Sequence, residues 1–138
     1  MTSATTSENV PVPGGKLEYA VLSAVWEAEV LTAREVHERV GVPLDLVYTT
    51  TSRVLDRLCA KGLLSRERQG KAFSYRATTP RPEIERARMS RTLGGLFTGG
   101  ARPAMAALVE AIESIDAGLL DDLAQAVEAA RQRPRGEP

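Results

Sequence analysis

Cysteine and histidine are nearly absent from this sequence. Its 138 residues include one cysteine, Cys59, and one histidine, His37. A single cysteine excludes an intrachain disulfide framework and any metal site built on paired cysteines. Aromatic residues are also scarce, at 4% against 43% apolar residues, so we expect an aliphatic core.

Long hydrophobic runs are missing as well. No apolar stretch approaches the roughly 18 residues that a membrane-spanning helix needs. Residues 1–15 lack the charged-then-apolar pattern of a signal peptide and are rich in Ser, Thr, Pro and Gly. We therefore predict a cytoplasmic protein that makes no use of a membrane and begins with a disordered arm over residues 1–15.

Sequence motifs of catalysis are absent too. The sequence has no Walker loop, no GxGxxG after a strand and no HExxH. His37 stands alone, without a serine or cysteine nucleophile in an obvious motif. The acidic residues between positions 110 and 122 are irregularly spaced, which is typical of a solvated helix face. We predict that the chain is not an enzyme and holds no metal or cofactor.

Charge of one sign is not in excess, because the 18 basic and 18 acidic residues cancel. Their distribution is uneven, however. Residues 53–81 contain eight basic and two acidic residues, whereas residues 104–130 contain six acidic residues and no basic one. The first segment attracts phosphates and the second repels them, which indicates a nucleic-acid partner for the first.

The first half of the chain reads as three helices and a hairpin. A helix of about three turns begins near Lys16, and Thr32 to Glu35 has the form of a capping box that opens a second helix. We expect Gly41 to take a left-handed conformation at the end of that helix. The third helix is predicted over residues 45–61, with Gly62 at its end. Its inner stripe is predicted to hold Val47, Thr51, Val54, Leu55 and Leu58.

A hairpin follows the third helix directly. Residues 63–68 and 71–78 are predicted strands about a turn at Gln69 and Gly70. Phe73, Tyr75 and Ala77 alternate with Ser74, Arg76 and Thr78, so one face of the ribbon can pack while the other meets solvent or phosphate.

Helix and hairpin together are typical of a winged helix-turn-helix, which makes double-stranded DNA the expected ligand. The major groove admits one helix, whose short polar side chains reach base edges while long basic ones reach phosphates. We predict that DNA is bound through the outer face of the third helix and the hairpin, by Tyr48, Thr49, Thr50, Ser52, Arg53, Arg57, Arg66, Arg68, Lys71 and Arg76.

The last third of the chain carries helices with narrow apolar stripes and little core of their own. Burying these stripes against a second copy removes the exposed apolar surface, so we predict a homodimer. The residues assigned to dimerisation are Met89, Leu93, Leu96, Phe97, Met105, Leu108, Ile112, Ile115, Leu119, Leu120, Leu123 and Val127.

The predicted fold is mainly α with a small β-hairpin wing, in the α+β class. Residues 16–80 form a winged helix-turn-helix DNA-binding domain, and residues 81–131 form a C-terminal helical dimerisation region. Residues 132–138 are predicted to be a flexible tail.

The sequence resembles the BlaI/MecI family of penicillinase repressors over roughly residues 16–130. The motifs that carry the resemblance are Leu17-Glu18-x2-Val21-Leu22-x3-Trp26, then Arg53-x3-Arg57-Leu58-x2-Lys61-Gly62-x-Leu64, and finally Gly70-Lys71-x-Phe73-x-Tyr75. The resemblance implies a dimeric repressor of β-lactam-response genes, and hence of antibiotic resistance, on palindromic operators. It also implies that a membrane sensor-protease relieves repression by cleavage near Leu96 and Phe97, where family members carry Asn-Phe.

Two other functions are compatible with parts of the sequence. A winged-helix resistance regulator that senses a small molecule at its dimer junction would need a polar or aromatic pocket, yet the C-terminal stripes are almost purely aliphatic. A protein–protein interaction module without DNA binding would not need the basic segment 53–81. Salt-sensitive binding to duplex DNA would distinguish a DNA-binding protein from such an interaction module.

Overall fold

The structure is a computed structural model that describes residues 10–134. It divides into two compact units, the first ending at Thr92 and the second beginning at Leu93. Residues 1–9 of the predicted arm and 135–138 of the predicted tail lie outside the described residues. Between residues 10 and 134, no helix combines the length and the hydrophobicity required to cross a membrane.

The first unit, called the head below, contains the predicted winged helix-turn-helix with its hairpin wing, and most of a fourth helix. Its elements are α1 (Lys16–Ala28), β1 (Leu31–Thr32), α2 (Ala33–Val36) with a π-helical turn (His37–Gly41), α3 (Tyr48–Ala60), β2 (Leu64–Gln69), β3 (Ala72–Ala77) and α4 (Arg81–Gly94). The second unit takes the last two residues of α4, a 3-10 turn (Gly95–Gly99), α5 (Ala101–Ile115) and α6 (Gly118–Gln132).

The three strands form one antiparallel sheet in the order β1-β3-β2. Pairing of Gln69 with Ala72 makes Gly70 and Lys71 the two residues of the hairpin loop. The predicted turn at Gln69-Gly70 was therefore wrong by one residue. Gly70 has φ of 63°, a conformation that glycine adopts without strain, and Lys71 lies at the tip of the wing.

Strand β1 was not predicted because two residues are too short to show an alternating pattern. Thr32 of β1 pairs with Ser74 of β3, so Ser74 is only 4% exposed. The sequence had placed Ser74 on the outer face of the ribbon, and that assignment was wrong. Its hydroxyl donates to the carbonyl of Glu67 at 3.4 Å.

The core of the head is aliphatic, as the composition predicts. Its fully buried members include Leu22, Leu31, Leu55, Leu58, Leu63, Ile84, Val21, Val25, Val36 and Val54. Ile84 and Ala87 belong to α4 and were not foreseen. Because these two side chains are buried, the head extends beyond the predicted boundary at residue 80. Val10 also packs against this core, within the segment that the composition assigned to the arm.

The second helix begins with the predicted capping box. The hydroxyl of Thr32 accepts from the amide of Glu35 at 3.2 Å, and the carboxylate of Glu35 accepts from the amide of Thr32 at 2.8 Å. Gly41 does not take the predicted left-handed conformation, because its backbone continues the π-helical turn. Glycine is required there for space: a Cβ at this position would lie 2.2 Å from Nδ1 of His37 and 2.5 Å from Oγ1 of Thr51.

The third helix starts later than predicted, at Tyr48. Val47 precedes it in extended conformation, and its side chain is 66% exposed, so its predicted place in the inner stripe was wrong. The other members of that stripe are buried, as predicted. Gly62, with φ of 81°, ends the helix, and the amide of Leu63 donates back to the carbonyl of Leu58 at 2.9 Å.

The second unit has no buried residue among those that the structure describes in it. Apolar side chains between α5 and α6 are half-buried, whereas Met105, Ile115 and Val127 are exposed. The carboxylate of Asp116 accepts from the amide of Gly118, the first residue of α6, at 2.8 Å.

Candidate nucleic-acid interface

The outer face of α3 is open to solvent. Thr49 and Arg53 lie opposite the buried stripe of the helix and are exposed, as is Tyr48. Thr50 and Ser52 lie on the two flanks of this face and are half-buried. The predicted DNA-binding residues of α3 are therefore accessible to a partner, with small polar groups near the start of the helix and an arginine further along.

A contact with the preceding π-helical turn positions the start of α3. His37 Nδ1 lies 2.8 Å from the Thr51 hydroxyl, and its ring meets Tyr48 edge-on at 5.4 Å between centroids. The histidine that stood alone in the sequence thus joins the two helices of the helix-turn-helix. Tyr48 keeps half of its surface exposed while one edge of its ring is held.

A buried carboxylate ties α1 to the end of α3. Glu18 accepts hydrogen bonds from Lys61 Nζ at 2.7 Å, from Arg57 Nε at 3.1 Å and from the amide of Gly14 at 2.7 Å. Burial acts to raise the pKa of Glu18, but these three donors outweigh it and leave the pKa below its ordinary value. Arg57, which was predicted to bind phosphate, thus uses its Nε to bind Glu18, while 56% of its side chain remains exposed.

The wing arginines are arranged around one aromatic ring. The guanidinium of Arg66 lies 4.6 Å from the centroid of Phe73, and that of Arg68 lies 5.8 Å from it. Arg66 also pairs with Asp56 of α3 at 3.1 Å, and Arg68 donates to the carbonyl of Gly70 at 3.2 Å. These contacts orient the side chains of Arg66 and Arg68 in the absence of a bound partner.

Among residues 10–134, Arg53 on α3 and Lys71 at the tip of the wing are exposed and form neither an ion pair nor a side-chain hydrogen bond. Arg76 on β3 is also exposed and without an ion pair, but it alternates with Phe73 and Tyr75 and lines a different cleft, beside Trp26 and Glu29. Because these cations are unpaired, no internal ion pair has to break before they bind an anion. This surface is consequently strongly attractive to a polyanion, even though the chain as a whole is neutral.

A cleft of about 510 Å³ lies between the start of α2, the flank of α3 and the wing. Arg34, Arg66 and Lys71 contribute cationic groups to its lining, and Ser52 contributes a hydroxyl. Arg34 was not among the predicted DNA-binding residues. It is the second residue after the capping threonine, and no local pattern indicates that β1 brings this position beside the wing.

A second polar cluster joins α1 to α4 within the head. Arg81 and Arg88 contact Glu85 at 3.5 and 2.9 Å, and the hydroxyl of Tyr19 donates to the same carboxylate. The Tyr19 hydrogen bond is the main reason that the pKa of Glu85 lies below its ordinary value. Trp26 packs against the core and donates to the carbonyl of Thr79 at 3.0 Å. This cluster holds the first half of α4 against the head.

The residues predicted to mediate dimerisation divide into two groups. Those that are most exposed are Met89, Leu96, Met105, Ile115, Leu119 and Val127. Those that are half-buried are Leu93, Phe97, Leu108, Ile112, Leu120 and Leu123.

One protein-family model matches nearly all of the residues that the structure describes. A family model described as penicillinase repressor matches residues 14–129. The transcriptional regulator BlaI of Mycobacterium tuberculosis, from strain CDC 1551 / Oshkosh and from strain ATCC 25618 / H37Rv, is 36% identical over 114 residues. That alignment covers 82% of this chain and 81% of the relative.

Two solved structures are among those similar to this chain. The solution structure of the DNA-binding domain of the repressor BlaI is 22% identical, with a TM-score of 0.48, and covers 52% of this chain and 89% of that one. A complex structure of hsRosR-S4 is 16% identical, with a TM-score of 0.50, and covers 83% and 99%.

Proposed function

Because the chain belongs to the penicillinase repressor family, and is therefore a transcriptional repressor and not an enzyme, we propose a specific mode of repression. Two copies of the chain bind one palindromic operator, each placing α3 in the major groove and its wing against the adjacent phosphates. The observation that carries this proposal is the exposed outer face of α3, which carries the unpaired Arg53 and whose flank shares a cleft with the unpaired Lys71.

The two parts of this surface have different tasks. Tyr48, Thr49 and Arg53 project from the exposed side of α3, where hydroxyl, methyl and guanidinium groups can meet base edges. Lys71 and Arg34 line the cleft beside the wing, where a strand of phosphates would be neutralised without regard to sequence. Base contacts give specificity, and phosphate contacts give affinity and register.

Dimerisation is proposed through the C-terminal helices. Met105, Ile115 and Val127 are 53%, 75% and 47% exposed, and a second copy would cover them. A two-fold dimer presents two heads that can read half-sites about one helical turn apart. The link between the heads raises the effective concentration for the second half-site, so the palindrome is bound more tightly than either half.

We propose that the operators control β-lactam-response genes in the cytoplasm and that a sensor-protease relieves repression by cutting near Leu96 and Phe97. This segment is a short 3-10 turn rather than regular α-helix, and Leu96 is 58% exposed. Glycines stand on both sides of it, at positions 94–95 and 99–100. A short irregular turn between helices is easier for a protease to open than a helix.

DNA selection tests the repressor mechanism. The full chain is mixed with a pool of random duplexes, and bound duplexes are enriched and sequenced; we expect a palindrome. In a gel shift at physiological salt, Arg53→Ala is expected to weaken binding to the selected duplex by about tenfold to a hundredfold, from the loss of one base contact. Arg86→Ala, which removes an exposed arginine of α4, serves as the control and should bind like the wild type. Equal affinities for all three proteins would contradict the assignment of α3.

Cleavage is tested separately, in the protein's own cells challenged with a β-lactam. The wild-type chain is expected to yield a fragment ending near residue 96, detected by mass spectrometry. Phe97→Pro is expected to remain intact and to keep a reporter gene repressed. Induction of the reporter while the wild-type chain remains whole would rule out proteolysis as the signal.

A further inference from the structure

Exposed aliphatic side chains are concentrated in the turn that leads into α3. Val42, Leu44 and Val47 are 59%, 54% and 66% exposed within six residues. Single exposed aliphatic residues are ordinary, but several within one turn of a small domain mark a surface that contacts something.

Val47 is the least expected of the three because it occupies the N-cap position of α3. Serine, threonine, aspartate and asparagine are preferred there, since their side chains accept a hydrogen bond from the first turn. Val47 provides no such bond and no side-chain packing in the core. Neither helix stability nor core packing therefore accounts for a valine at this position.

The turn holds Val47 in a defined place. The amide of Leu46 donates to the carbonyl of Gly41 at 2.9 Å, and the amide of Asp45 donates to the carbonyl of Val42 at 2.9 Å. The carbonyl of Val47 itself accepts from the amide of Thr50 at 3.0 Å. Its isopropyl group is therefore exposed from a backbone that is fixed on both sides, which reduces the entropy lost when it makes a contact.

We propose that Val47 is a specificity-determining residue that contacts the C5-methyl group of a thymine in the operator. This inference rests on the proposed function and extends it to one base. Thymine is the only base that presents a methyl group in the major groove, and an apolar side chain is its complement. Val47 adjoins the exposed residues Tyr48 and Thr49, so the apolar group continues the surface that faces the bases.

The test removes the methyl groups from both sides of the contact. In the duplex obtained by selection, each thymine is replaced singly by deoxyuridine, which differs only in lacking the C5-methyl. At one position in each half-site, wild-type affinity is expected to fall about threefold to fivefold, as for the loss of one buried methyl contact. For Val47→Ala the same replacement should have no effect, because the methyl no longer has a partner.

Two further variants make the result specific. Val47→Ser removes the isopropyl group but can cap α3, so it should be at least as stable as the wild type and still insensitive to that thymine. Val42→Ala removes the same two methyl groups from the other end of the turn and should retain the wild-type penalty.

The outcomes separate the inference from its premise. An enriched duplex whose deoxyuridine penalties are identical for wild type and Val47→Ala would overturn the thymine contact and leave the mode of repression intact; the apolar turn would then be open to a protein partner. A Val42→Ala variant that loses the penalty equally would overturn the assignment to Val47. Failure to enrich any duplex would overturn the proposed repression itself.

Discussion

Single residues in this chain owe their identity to different constraints that look alike in the sequence. Gly41 and Gly70 were both expected to serve a turn, yet only Gly70 has positive φ. Gly41 is fixed by the His37 and Thr51 side chains that approach its Cα. Val47 is a third case, since it satisfies neither a cap nor the core. A glycine can thus mark backbone freedom, as at position 70, or close approach, as at position 41, and we propose that Val47 marks a contact outside the chain.

The close approach at Gly41 leads to a stability prediction. Gly41→Ala forces the new methyl into the space of His37 and Thr51, and displacing them is expected to lower the free energy of unfolding by about 1–3 kcal/mol. Thermal or urea unfolding measures the change. Gly94→Ala is the matched control, because a Cβ at Gly94 meets nothing within 4 Å in a helical backbone. That variant should gain up to about 1 kcal/mol from helix propensity. A Gly41→Ala protein as stable as the wild type would contradict the steric explanation.

The tip of the wing leads to a prediction about salt. Lys71→Ala is expected to weaken binding to all duplexes alike and to reduce the slope of log affinity against log salt by about one unit, since one phosphate contact is lost. Lys16→Ala removes the same charge from α1 and should leave the slope unchanged. A shift in the preferred sequence with Lys71→Ala would instead show that this lysine contacts a base.

At the scale of elements, the reading surface depends on how α3 is held from both ends. The π-helical turn contacts its first turn through His37, and α1 contacts its last turn through Glu18. The wing is joined to its middle through Asp56 and Arg66. Helix and wing are therefore joined to each other and to the rest of the head, an arrangement that would keep the proposed base and phosphate contacts in register.

The Glu18 contact predicts a pH-dependent stability. The folded pKa of Glu18 lies below its unfolded value, so its contribution is complete above the unfolded pKa and is lost as pH falls through the folded pKa. At pH 7, the free energy of unfolding of Glu18→Gln is expected to be about 2–3 kcal/mol lower than that of the wild type, because the variant loses hydrogen bonds to a charged acceptor. This difference in the free energy of unfolding should become smaller below about pH 5. Glu27→Gln, exposed on the same helix, is the control. A gap that does not change with pH would exclude the charge as its origin.

At the scale of the whole molecule, the two units differ in kind. The head has a closed aliphatic core that includes Ile84 and Ala87, whereas no described residue after Leu93 is buried. The charge follows the same division, with the excess of basic residues in 53–81 and only acidic ones in 104–130. We therefore propose that DNA binding and self-association belong to separate parts of the chain.

Truncation tests this division. A chain ending at Thr92 keeps Ile84 and Ala87, so it is expected to fold, to be monomeric in light scattering and to bind the selected palindrome far more weakly than the full chain. A chain ending at Pro80 lacks both side chains and is expected to unfold at a lower temperature. Finding a dimer for the chain that ends at Thr92 would move the interface into the head.

The sequence by itself determined the features that depend on neighbours along the chain. The capping box at Thr32, the stripe from Thr51 to Leu58, the helix end at Gly62 and the presence of a hairpin all follow from local hydrogen bonding and periodicity. Those local rules predicted the winged helix-turn-helix, and the motifs within it indicated the family to which the chain belongs.

Tertiary structure alone decided the features that depend on residues far apart in sequence. The exposure of Val47, the crowding at Gly41, the burial of Glu18 against Arg57 and Lys61, and the docking of Ile84 each arise from packing between separate elements. Periodicity assigns a side chain to a face of its own helix, but it does not show where that helix begins or what will lie against it. The physical reason is that burial and close approach are properties of pairs of elements, and a linear pattern describes one element at a time.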